Sequence, residues 1–152
     1  MNKKTQNSSN SDTPLIALAC KHLRFAWASL LVFVTLGLAL EIFHALKLGF
    51  YLNVGNETRR LMWTLAHAHG IGLSLLNMGF GATIPRLWQT LPRTLLIASK
   101  CIIFGTVFLP LGFFLGGIVT YGGDPGLGAL LVPIAAVVLW VGVFYVVREA
   151  IR

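Results

Sequence analysis

The chain has 152 residues, of which 56% are hydrophobic and only 11% charged, with a formal net charge of +7 from 12 Lys+Arg against 5 Asp+Glu. A soluble domain carries about 25% charged residues, so this balance excludes an ordinary soluble domain and points to lipid. The basic residues stand in short clusters beside apolar runs, as lipid anchors and topology signals do, which excludes nucleic acid as a partner.

Residues 1–13 are polar, rich in Asn and Ser, and without apolar periodicity, which predicts a disordered tail. Thr13 and Pro14 then read as a helix cap and first helical position. Lys21, His22 and Arg24 interrupt the first apolar stretch, so this segment is no secretory leader and runs along the interface into a first span. A span needs roughly 20 apolar residues. The chain offers four such stretches, at about 25–46, 60–84, 95–119 and 127–147. A loop with Asn and Gly follows the first, Pro85, Arg86, Pro92 and Arg93 mark a short second connection, and Tyr-Gly-Gly-Asp-Pro-Gly at 121–126 is a turn. Residues 14–152 therefore form a single domain, an all-α integral membrane bundle of four helices.

Lys3, Lys4, Lys21, Arg24, Arg86, Arg93, Arg148 and Arg152 fall on one side of that layout, and Lys100 can snorkel to it. Only Lys47, Arg59 and Arg60 fall on the other. Both termini are thereby predicted to be cytoplasmic, and the natural setting is a bacterial inner membrane. Cys20 and Cys101 form no disulfide framework and read as small packing residues. Asn56-Glu57-Thr58 has the spacing of a glycosylation acceptor.

Candidate chemistry lies on the first two spans. Glu41 and His44 are one turn apart and share a face, with Gly37 a turn earlier. The second span carries His67-Ala68-His69-Gly70. Counting from the outer helix ends places Glu41 and His67 at matching depth, each very roughly 10 Å in. A carboxylate inside a span costs roughly 2.5–3.5 kcal/mol unless it is neutral, paired or hydrated. Glu41 is therefore expected to turn inward to His67, with His44 and one of the two second-span histidines alongside. Metal candidates are Glu41, His44, His67 and His69, and zinc accepts that mixture of N and O ligands. A di-iron bundle needs a second Glu-x-x-His, which is absent. His67, Gly70, Ser74, Asn77 and Gly81 recur at three and four residues, a polar and small-residue stripe. His69 lies about 200° round the helix from His67, so one metal cannot take both rings easily.

The run from Arg59 to Pro85, with its His-x-His after a basic start, resembles the His-bearing helices of haem–copper oxidase and nitric oxide reductase catalytic subunits. That resemblance covers about one span in four. It implies a haem axial ligand at His67 or His69, with haem b as the cofactor. The residues themselves add His44 as a further cofactor ligand and a divalent metal as the alternative cofactor. The histidines of a copper site are absent, so oxygen or nitric oxide reduction by this chain alone is not expected.

The leading expectation is a small non-enzymatic membrane protein with a Glu/His site in a redox setting, acting as a homo-oligomer or within a larger redox complex. Two alternatives compete. One is a structural or assembly subunit in which the polar residues pin helices, at about 0.6 kcal/mol per interhelical hydrogen bond. The other is a proton or small-solute pathway through Glu41, His67, Ser74 and Asn77, which stops short because only Gly81 follows.

Overall fold

The computed structural model describes residues 3–53 and 57–152, with side chains from Pro14 onward. The side chains of the expected polar tail, and Asn56 of the Asn-Glu-Thr triplet, lie outside the described residues. Four α-helices are present, with no strand among the described residues: α1 Lys3–Ala45, α2 Thr58–Leu87, α3 Arg93–Ile118 and α4 Leu131–Ala150, the last entered through a short 3-10 turn at Leu127–Leu130. Pro14, expected at the start of a helix, lies inside α1.

Three stretches are long and apolar enough to cross a membrane: Pro14–Ala45, Arg93–Ile118 and Leu127–Ala150. The second helix is the exception. Its stripe of His, Ser, Asn and Gly dilutes its apolarity, and it lies between α1 and α3. The extensive interfaces are those between consecutive helices: α1 on α2, α2 on α3, α3 on α4.

Side-chain pairs give the register. Phe33 meets His67, Ser29 meets Ser74 and His22 meets Asn77, so α1 and α2 run antiparallel. The same holds for α3 and α4, where the neighbours of Gly105, Gly112 and Gly116 are Leu139, Val132 and Ala129. A Cβ on Gly105 would lie 2.8 Å from Leu139 Cβ, and one on Gly142 would lie 2.8 Å from Cys101 Cβ. Small residues let the α3 and α4 backbones approach, as expected of helix packing without a hydrophobic driving force.

Two apolar cores result. One joins Leu15, Leu18 and Ala19 of α1 to Phe80 and Ile84 of α2, to Trp88 just after it, and to Leu95 and Ile102 of α3. The other joins Leu73, Leu109 and Ala135, one each from α2, α3 and α4. The outer faces of α1 and α4 stay uncovered: Trp27, Leu31, Leu38, Val137 and Trp140 are each more than 60% exposed. Such surface is tolerable only against lipid or another helix.

At the end opposite the Arg86–Arg93 connection, α1 stops in a Schellman motif. Leu48 N–H donates to Phe43 O at 3.0 Å and Lys47 N–H to His44 O at 3.1 Å. Phe43, Phe50, Tyr51, Trp63 and Phe114 then stack or meet edge to face across α1, α2 and α3. The Tyr121–Asp124 turn closes on two backbone hydrogen bonds of 3.0 and 2.8 Å, with Gly122 and Gly123 at positive φ. Positive φ at both central positions is what glycine supplies without a Cβ clash.

Candidate functional site

The buried polar residues of the chain converge on the α1–α2–α3 junction, not on Glu41. His22, Asn77, Ser99 and Thr106 are each 0–1% exposed. His22 Nδ1 lies 2.8 Å from Asn77 Oδ1, and its Nε2 lies 2.8 Å from Ser99 Oγ. Asn77 Nδ2 donates to Leu73 O at 2.9 Å and to Thr106 Oγ1 at 2.7 Å. Thr106 Oγ1 in turn donates to Ile102 O at 2.8 Å.

These contacts fix the direction of every bond. Two acceptors hold the Asn77 amide nitrogen, so Oδ1 faces His22 and must accept from Nδ1–H. The neutral ring then accepts the Ser99 hydroxyl at Nε2. The Phe80 ring meets His22 edge to face at 4.7 Å. One imidazole thus joins three helices, with each polar atom paired, the condition under which a buried network favours one packing over others.

The order Ser99, His22, Asn77 matches a nucleophile, a base and the group that orients the base. Its surroundings do not match that use. Ser99 and His22 are sealed, and neither lines the wide apolar groove of about 540 Å³ between α1 and α3, whose polar residues are Ser29 and Thr106. A second hydrogen bond between α1 and α2, Ser74 Oγ to Ser29 Oγ at 2.8 Å, continues the pinning along the same interface.

The expected Glu41 site is not assembled. Glu41 and His44 are exposed, and no group of three or more His, Cys, Asp or Glu among the described residues could hold a metal ion. The depth count went astray at the helix ends. With α1 ending at Ala45 and α2 starting at Thr58, Glu41 is about 6 Å from its helix end and His67 about 13 Å from its own. In the observed register His67 faces Phe33 and Gly37 instead. Its Nδ1 lies 2.8 Å from Phe33 O, and a Cβ on Gly37 would collide with the His67 ring.

Arg59, a turn or two up α2 from His67, caps a neighbouring helix. Its guanidinium donates to Gly117 O at 3.0 Å, Ile118 O at 3.2 Å and Phe50 O at 2.9 Å, capping the last carbonyls of α3. Arg60 pairs with Glu57. Trp63 Nε1 donates to Phe114 O at 3.1 Å.

His69 occupies a different face from His67, as the helical angle required. It is exposed, its Nδ1 lies 2.8 Å from Leu65 O of its own helix, and its ring stacks on Phe113 at 4.8 Å. A ring nitrogen against a carbonyl oxygen must carry the proton. Both His67 and His69, when neutral, therefore leave Nε2 as a lone pair. Of the polar stripe, Ser74 and Asn77 are buried and bonded.

His22, Ser99 and Thr106 were missed in the sequence. A usable signal existed: Leu15, Leu18, Ala19, His22 and Ala26 recur at three and four residues and form one buried face. Lys21 and Arg24 beside it disguised that face as interfacial. No protein-family model, curated protein or solved structure matches the chain.

Proposed function

We propose that this chain is a non-catalytic structural or assembly subunit of a membrane complex, whose buried polar residues lock its own helices and whose uncovered apolar helices meet partners in the bilayer. In this reading α2 crosses the membrane with the other three helices, because it lies antiparallel between α1 and α3, and the basic bias puts both termini on the cytoplasmic side. The observation that carries the reading is the closed His22–Asn77–Ser99–Thr106 network. Its donors and acceptors are satisfied within the chain, leaving none to turn toward a substrate. The uncovered faces of α1 and α4 supply the surface for association.

Mild detergent extraction of native membranes tests it. The chain is expected to migrate with other membrane proteins; His67→Ala should lower its stability by about 0.6 kcal/mol, the scale of an interhelical hydrogen bond, and exposed His69→Ala should change it by less than about 0.5 kcal/mol, neither altering its colour. A chain that runs as a lone monomer under those conditions contradicts the proposal.

One observation favours a second reading, a haem or metal carrier. The lone pair of His69 is on the exposed side of α2, with Nδ1 anchored on a carbonyl as in many ligating imidazoles. One chain would then supply part of a site completed by another copy or a redox partner. A dithionite-reduced spectrum with a Soret shift that disappears in His69→Ala supports this reading, and a featureless spectrum with empty metal analysis eliminates it.

A further inference from the structure

We propose that the groove between α1 and α3 seats one acyl chain of an anionic phospholipid, whose phosphate meets Lys21 and Lys100 at the end nearest the α2–α3 connection. The proposal rests on the membrane-embedded reading above and goes beyond it by assigning a ligand site. The two helices run parallel and are joined at one level by the 2.8 Å His22–Ser99 hydrogen bond. Beyond that bond they part over Ala66 of α2 and leave an apolar groove of about 540 Å³, a size typical of ligand sites. Its walls are uncovered: Val32 is 61% exposed, Val107 41% and Leu111 37%. Its two hydroxyls give their protons to helix carbonyls, Ser29 Oγ to Ala26 O at 3.1 Å and Thr106 Oγ1 to Ile102 O at 2.8 Å. Nothing inside the groove therefore calls for a polar ligand. The α1 wall runs from Phe25 to Leu36, about 16 Å of helix, or about half of the roughly 30 Å hydrocarbon core. That is the depth of one leaflet, and so the reach of one lipid chain.

Charge selects the lipid. Lys21 precedes His22 and Lys100 follows Ser99, so the same hydrogen bond sets the two lysines on either side of the α1–α3 crossing. Each stands seven residues, two turns, before a groove residue on its own helix face: Lys21 before Ala28 and Lys100 before Val107. Both lysines are exposed, and neither belongs to an ion pair among the described residues. Glu41, Glu57 and Asp124 lie toward the other end of the helices, and Glu149, on α4, pairs with Arg152. The groove thus ends in positive charge with no acid among the described residues beside it, which complements a headgroup of net negative charge. A partner's helix suits it less. A helix is about 10 Å across, and the groove closes at the lysine end, where α1 and α3 are bonded to each other. A flexible chain follows that taper and brings its phosphate to the lysines.

The test is lipid retention by the purified full chain, read by native mass spectrometry after incubation with phosphatidylglycerol or phosphatidylcholine. Phosphatidylglycerol is expected to be retained in preference. Lys21→Gln or Lys100→Gln should weaken its binding roughly fivefold and the double variant roughly twenty-fivefold, the scale of one and of two basic residues at an anionic lipid surface. Phosphatidylcholine binding should not change in these variants. Ala28→Phe fills the groove from an exposed position and should weaken retention of both lipids, with the thermal unfolding midpoint unchanged. Val32→Trp, also exposed, repeats the block from a second position should Ala28→Phe unfold the chain. Arg148→Gln, on α4, should leave binding as it is. Equal retention of the two lipids by the parent chain, or parent-like phosphatidylglycerol retention by the double lysine variant, overturns the headgroup assignment. Parent-like retention by the folded groove-filling variant overturns the groove as the seat of the chain. A partner protein displaced by that variant, with no lipid held by the parent chain, overturns the choice of occupant. Carbonate extraction of membranes separates the two levels: a released chain refutes embedding itself, whereas a retained chain without lipid preference refutes only this site.

Discussion

Lys47 is the one non-glycine residue with positive φ among the described residues, at 52°. It occupies the position after the α1 cap that usually takes glycine, and its Cβ makes that left-handed conformation unfavourable by about 1–2 kcal/mol. Lys47→Gly should therefore raise stability by about 1 kcal/mol, read as a higher midpoint in thermal unfolding in detergent. The benefit is partly offset by the greater freedom of glycine in the unfolded chain. His22 is the opposite case, a residue whose chemistry the fold needs. His22→Ala leaves Asn77 Oδ1 and the Ser99 hydroxyl without their partner in a sealed interior. Stability should fall by about 2 kcal/mol, whereas removal of exposed His44 should change it by less than about 0.5 kcal/mol. Thermal unfolding of the two variants side by side checks the contrast.

At the scale of elements, the helices differ in how they are held. Hydrogen bonds tie α1 to α2 and α3, and α2 to α3, while α4 rests on the glycine-lined face of α3. Glycines on α2 separate the packing faces sharply. A Cβ on Gly70 would collide with the Phe33 ring, whereas one on Gly72 would meet nothing within 4 Å. Gly70→Ala should destabilise the α1–α2 pair by about 1–3 kcal/mol. Gly72→Ala should be neutral or stabilising by up to about 1 kcal/mol, because alanine suits a helix better. Comparing the two in unfolding scans decides whether the proposed face is right. Sequence periodicity carried much of this. The stripe through His67, Gly70, Ser74 and Asn77 is a face of α2 that packs against its neighbours, and the Gly122–Gly123 turn was legible from its residues alone. What misled was depth. A change of a few residues in where α1 and α2 end moves Glu41 off the level of His67, and apolar composition does not fix helix ends to that precision.

For the whole molecule, composition was enough to read an all-helical chain with membrane-length apolar helices, since no soluble fold tolerates so much uncovered Leu, Val and Trp. The site was less legible. Its central imidazole stands between Lys21 and Arg24, a setting that signals an interface, and its partners Ser99 and Thr106 are hydroxyls in a helix that reads as almost wholly apolar. Their meaning exists only once three helices are together. The most direct test of the account is the His22/Asn77 double-mutant cycle, with unfolding followed for His22→Ala, Asn77→Ala and the double variant. Coupling of about 1 kcal/mol or more is expected if the two side chains act as one interhelical lock. Strictly additive effects, with each single variant as stable as the parent chain, would contradict it.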